Sequence, residues 1–93
     1  MAEITVVKMN ENTFQVTVVA GSTTTHEVNV QAAYAQKISG GKISTVELVK
    51  KSFEFLLERE SNTSILRRFD LSVIARYFPE YEQEIGLKLV YVG

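Results

Sequence analysis

The stretch 44–60, STVELVKKSFEFLLERE, constrains the fold more than any other part of this chain, because it joins a sharp helix start to an unusually wide apolar surface. Ser44 and Glu47 have the S-x-x-E spacing of a capping box, in which the hydroxyl accepts the Glu47 amide and the carboxylate returns to the Ser44 amide. From that start Val46, Val49, Phe53, Leu56 and Leu57 recur at helical spacing on one face, while Leu48 and Phe55 fall on the opposite flank. The apolar arc therefore covers about half of the helix surface instead of about a third. Such a helix needs cover on two sides. The remaining arc carries Glu47, Lys50, Lys51, Glu54 and Glu58, whose opposite charges lie three or four residues apart. Each such exposed pair contributes about 0.2 to 0.5 kcal/mol. Lys50 and Lys51 read as part of a solvated, self-paired face in preference to a phosphate contact.

The rest of the chain supplies the cover. Residues 3–9 alternate in a β-branched run, Asn10, Glu11 and Asn12 bring turn chemistry, and residues 13–20 resume the alternation with Phe14, Val16, Val18 and Ala20 on one face. Gly21 and Ser22 mark a second tight turn. Residues 23–30 then read as a third strand with Thr24, His26, Val28 and Val30 on one side. Threonine is a favoured strand residue, so the run at 23, 24 and 25 is read as strand-forming and not as a binding edge. The spacing thus predicts an antiparallel three-stranded meander over residues 1–30 and a helical part over 31–86.

Within the helical part, QAAYAQKIS at 31–39 reads as a short helix stopped by Gly40 and Gly41. The Gly-Gly-Lys that follows lacks the frame of a phosphate loop and comes after a helix instead of a strand. Beyond the central helix, Ser61, Asn62 and Thr63 form a polar break. SILRRFDLSVIARYF is then expected to make two short helices, capped by Ser64 and by Asp70 or Ser72. Ile65, Leu66, Phe69, Val73, Ile74, Tyr77 and Phe78 would cover the second flank of the central helix. Pro79 suits the start of a last helix closed by Gly86. The tail LKLVYV, 87–92, is β-branched and aromatic and reads as an additional strand, paired with the meander or with another chain. The expected fold is a single α+β domain spanning 1–93, with a three- or four-stranded meander packed against the central helix and short C-terminal helices beyond it.

Composition narrows the function classes. A net charge of -1 gives no global field to draw in nucleic acid or an anionic membrane. There is no cysteine, so disulfides, zinc-thiolate sites and thiol nucleophiles are excluded together, as suits a reducing cytoplasm. The first residues alternate where an export signal has an unbroken apolar run, and no apolar stretch approaches the roughly 20 residues of a membrane span. With only 93 residues the chain buries a modest share of its surface, which brings homodimerisation into view.

The catalytic inventory is thin. His26 is the only histidine, Asp70 the only aspartate, and no serine or lysine sits in a nucleophile frame. His26 reads as a strand histidine making ordinary hydrogen bonds, and Glu80, Glu82 and Glu84 read as a solvated helix face. No catalytic residue, cofactor or metal site is expected. The local anomaly is Arg67, Arg68 and Arg76, set against the single Asp70 and interleaved with Phe69, Tyr77 and Phe78. Arg67, Arg68, Arg76 and Tyr77 are accordingly the expected partner-binding residues of a small, non-catalytic, cytoplasmic protein-interaction module. The alternative is a nucleic-acid-binding regulator using the same arginines in a loose helix-turn-helix. An enzyme built on His26 and a carboxylate ranks third.

At FEFLLERE, SILRRFDLS and ARYFPEYE, between Phe53 and Glu82, the sequence resembles a family of small uncharacterised bacterial proteins. The resemblance covers part of the second half of the chain. It implies a bacterial cytoplasmic protein and carries no activity with it.

Overall fold

The computed structural model describes residues 2–92, with side chains through 87. Its organising helix, α2, is Thr45–Leu57, numbered after β1 (Glu3–Lys8), β2 (Thr13–Ala20), β3 (Ser22–Asn29) and α1 (Ala32–Ser39). A single 3-10 turn, Asn62–Ser64, then leads to β4 (Arg68–Asp70), α3 (Val73–Tyr77) and α4 (Tyr81–Val92). The protein is α+β, with a four-stranded sheet in the order β1-β2-β3-β4.

The meander forms as its alternation requires. Asn10 Oδ1 accepts the amides of Asn12 and Thr13 at 3.1 and 3.0 Å and closes the first hairpin. Gly21, at φ 71°, closes the second, a conformation that L side chains rarely adopt. The register sets Ile4 beside Val18, Val6 beside Val16, and Phe14 beside Val28. One face of the sheet therefore gathers the aliphatic layer, in which Phe14, Val16, Val18, Val28 and Val30 are almost wholly buried. Thr24 and His26 share that face and are buried with it. The opposite face presents Thr5, Val7, Gln15, Val19, Thr23 and Thr25 to solvent.

Helix α2 has cover on both flanks. Ser44 accepts the Glu47 amide at 3.2 Å, as the start signal requires. Phe53 points to the sheet and meets the rings of His26 and Phe69, at 5.3 and 6.0 Å between centroids. Phe55, on the other flank, meets Phe78 and Tyr81 edge-on. Both phenylalanines are fully buried, and burial of each stabilises the fold by about 1.5 to 3 kcal/mol. Between them Ser52 donates to the Leu48 carbonyl at 2.7 Å. Its one proton is thereby used, so the Tyr81 hydroxyl, 2.6 Å away, donates to Ser52 Oγ. This bond ties α4 to α2 inside the apolar layer.

Two expectations for the second half are corrected. Of the two short helices expected over 64–78, the second forms as α3 and the first does not. Instead Arg68–Asp70 pairs in parallel with β3, setting Phe69 beside Val28. The strand wins because Phe69 can then face the core while Arg68 and Asp70 face outward. The amide of Glu27 bonds the Arg67 carbonyl at 2.7 Å and that of Leu71 bonds Asn29 at 2.8 Å, extending the ladder past both ends. Asp70 does act as a cap, accepting the amide and hydroxyl of Ser72 at 3.0 and 2.8 Å just before α3.

The tail is the second correction. Residues 87–92 belong to α4 and form no strand; Gly86 does not close the helix. Tyr81 and Ile85, one helical turn apart and fully buried, anchor the helix from its start. Continuing it satisfies each new amide within the segment, whereas a strand would need a sheet edge. Local β propensity is overridden by that anchoring. No helix among the described residues is long and apolar enough to cross a membrane.

Candidate functional site

The strand-turn geometry after α2 leaves an apolar groove open. Its volume is about 330 Å³, and its walls are Leu56, Ile65, Phe69, Val73, Ile74 and Phe78, with Leu66 and Tyr77 at the lip. Ile65, Phe69 and Ile74 turn into the core, as the apolar pattern required. Leu66 and Tyr77 do not. They stay 48% and 67% exposed, which is a large area of apolar side chain left in water. The reason is local: Ile65 and Phe69 point inward across an extended segment, so Leu66 between them faces out. Tyr77 ends a five-residue helix whose buried side is taken by Ile74. Glu60 is the one ionisable carboxylate in the lining, and its side chain has no ion pair among the described residues.

The four expected contact residues fall into separate places. Tyr77 lines the groove, and Arg76 precedes it on exposed α3. Arg67 follows Leu66 and is exposed, with no ion pair among the described residues. Arg68 lies on the outer face of β4 and makes a loose pair with Glu27 at 3.4 Å, both side chains well exposed. Such a pair contributes little. Arg67 and Arg68 also border a shallow depression with Met9, Gln15, Thr25 and Glu27. The outer sheet face around it carries no aromatic ring among the described residues, so it offers bases no stacking platform. The recognition helix of a helix-turn-helix is not formed either, because Arg68 is on a strand and α3 has five residues.

His26 is fully buried, and its ring is enclosed by hydrogen bonds. The Leu66 carbonyl, 2.8 Å from Nδ1, can only accept, so Nδ1 carries the proton. Nε2, 2.8 Å from Thr24 Oγ1, therefore accepts the threonine hydroxyl. Asn62 Nδ2 in turn donates to Thr24 Oγ1 at 3.0 Å and to the Ser22 carbonyl at 2.9 Å. This chain of bonds pins the 3-10 turn and the Leu66 backbone to β3, and so fixes one wall of the groove. Burial depresses the His26 pKa below its ordinary value, and the nearby Arg67 charge acts in the same direction against the Leu66 hydrogen bond. The lowered pKa and the Thr24 hydroxyl at Nε2 both favour the neutral imidazole.

Arg59 was not among the expected residues, and it pairs with two of the glutamates expected to form a solvated helix face. It donates to Glu80 at 3.1 Å and to Glu84 at 2.8 Å, while its guanidinium lies 3.7 Å from the centre of the Phe55 ring. This clamp joins the end of α2 to α4. Its sequence signal was the i, i+4 spacing of Arg59 to the buried Phe55. Leu66 and Glu60 were likewise missed as site residues. The alternation Ile65-Leu66 is visible in the sequence, but it points Leu66 outward only once the segment is known to be extended. No group of three or more histidine, aspartate or glutamate side chains converges on a metal-sized space among the described residues. Compared with known proteins, the chain matches no family model, no curated protein and no solved structure, so its site is read from its own chemistry.

Proposed function

We propose that the chain is a small, non-catalytic protein-interaction module whose docking surface is the Leu66–Tyr77 groove together with Arg67 and Arg76. The observation that carries this reading is the pairing of two large exposed apolar side chains with two arginines that have no ion pair among the described residues. A partner segment suited to it has one or two apolar side chains to fill the groove and acidic residues to meet the arginines. Arg68, already opposite Glu27, contributes at the rim. The setting is the cytoplasm of a bacterial cell, as the resemblance between Phe53 and Glu82 implies, and self-association belongs to the same reading.

The immobilised full chain, exposed to lysate of its source cell with and without nuclease, tests this. Protein capture should survive nuclease, and replacing Arg67 and Arg76 together with alanine should weaken it about tenfold or more. A nucleic-acid regulator behaves otherwise. Its captured material is nucleic acid, its proteins leave on nuclease treatment, and its affinity falls steeply between low and physiological salt. That outcome would replace the present reading with the regulator.

A further inference from the structure

The Leu66–Tyr77 groove has one wall that is not apolar. Helix α2 ends at Leu57, yet the amide of Glu60 still bonds the Leu56 carbonyl at 2.9 Å, so the turn that follows keeps one helical hydrogen bond. Glu60 therefore comes one turn after Leu56 on the same side, and both residues line the groove. The Glu60 side chain is half-buried there, in a lining otherwise made mainly of Ile65, Phe69, Val73, Ile74 and Phe78.

A carboxylate drawn partly out of water is ordinarily paired with a cation. Arg59, next to Glu60 in sequence, is committed instead to Glu58, Glu80 and Glu84. Arg67 and Arg76 make no ion pair with Glu60 either. The groove thus carries both signs of charge at separate places. The carboxylate is on the wall from the end of α2, and the arginines stand beside Leu66 and Tyr77. Phe69, Tyr77 and Phe78 also line it, and aromatic rings near a carboxylate favour a cation over an anion.

We propose that the groove is a cation-selective anchor site: it seats a protein segment that carries a basic side chain next to a large aliphatic one, the aliphatic group on Ile65, Phe69 and Ile74 and the basic group at Glu60. The apolar floor supplies affinity for the first and the unpaired carboxylate selects the second. At about 330 Å³ the groove is at the lower end of the roughly 300 to 1,000 Å³ of ligand clefts, room for one or two side chains. The acidic residues that meet Arg67 and Arg76 then lie beyond this anchor, so the charges fix the direction in which the segment lies. This inference rests on the reading of the groove as a docking surface and adds to it the charge of what is seated there.

Amide shifts of the full, isotope-labelled chain, titrated at neutral pH with n-hexylammonium and with hexan-1-ol, test it. The two probes share an alkyl chain and differ in charge. Both should move the amides of residues lining the groove, with hexylammonium binding about threefold to fivefold more tightly. In Glu60→Gln that preference should vanish while hexanol binds as before. The Glu60 side chain holds no ion pair among the described residues, so the fold is retained, and circular dichroism checks this. Equal affinity of wild type for the two probes, or a preference that survives Glu60→Gln, would overturn the proposal. Partner capture separates this inference from the reading beneath it. Glu60→Lys should lose the captured protein; capture lost in Leu66→Asp but unchanged in Glu60→Lys would overturn the cation selectivity and leave the groove as the docking surface. Shifts from both probes confined to residues outside the groove would count against both.

Discussion

Protonating His26 would leave its network one acceptor short. Nε2 would become a donor, and Thr24 Oγ1, already taking a proton from Asn62, would accept a second and leave its own hydrogen without its present acceptor in a buried place. Because the folded pKa is depressed, the unfolded chain binds the proton more readily. The stability due to neutral His26 is therefore complete above the ordinary imidazole value of 6.5 and declines as pH falls below it toward the folded pKa. Replacing His26 with glutamine should cost about 1 to 3 kcal/mol at neutral pH through the broken network. It should also flatten the stability-pH curve in the range just below 6.5, as urea midpoints measured across that range would register. A curve equally steep in wild type and variant would mean that His26 is not the titrating group. The burial of His26 was legible from the alternation it shares with Val28 and Val30. Its partners were not, since Asn62 and Leu66 lie some 40 positions away in sequence, and no local pattern encodes a contact at that range.

At the scale of elements, start signals and periodicity were read correctly wherever one segment decides its own structure. Ser44 starts α2, Gly40 stops α1 at φ 61°, and the two hairpins close at their polar turns. The failures, β4 and the end of α4, are places where a neighbour decides. Phe69 finds a vacant edge at β3, and the pair Tyr81 and Ile85 commits the last segment to a helix before its β-branched residues are reached. Gly86 tests this directly. It lies in the interior of α4 without a positive φ, and an added Cβ would meet nothing within 4 Å. Gly86→Ala should therefore raise stability by about 0.5 to 1 kcal/mol, seen as a higher melting temperature with helical content retained or increased. If Gly86 closed the helix in the left-handed conformation, the same substitution would lower it instead.

For the whole molecule, the distribution of surfaces matters more than any one residue. The core is built from one sheet face, both flanks of α2 and the anchored start of α4, and it leaves the apolar Leu66–Tyr77 groove open. The sequence marked 65–78 by its cluster of arginine and aromatic residues, of which Tyr77 lines the groove. It did not resolve which of those aromatics face water, since that depends on the strand that Arg68–Asp70 forms. The measurement that bears most directly on the account compares partner capture by wild type with capture by Leu66→Asp and by Tyr77→Ala, each first checked for an unchanged fold. Both positions are exposed, so both variants should fold. The account predicts that the nuclease-resistant protein held by wild type is lost in Leu66→Asp and reduced at least tenfold in Tyr77→Ala. Equal capture by all three would contradict the groove as the docking surface.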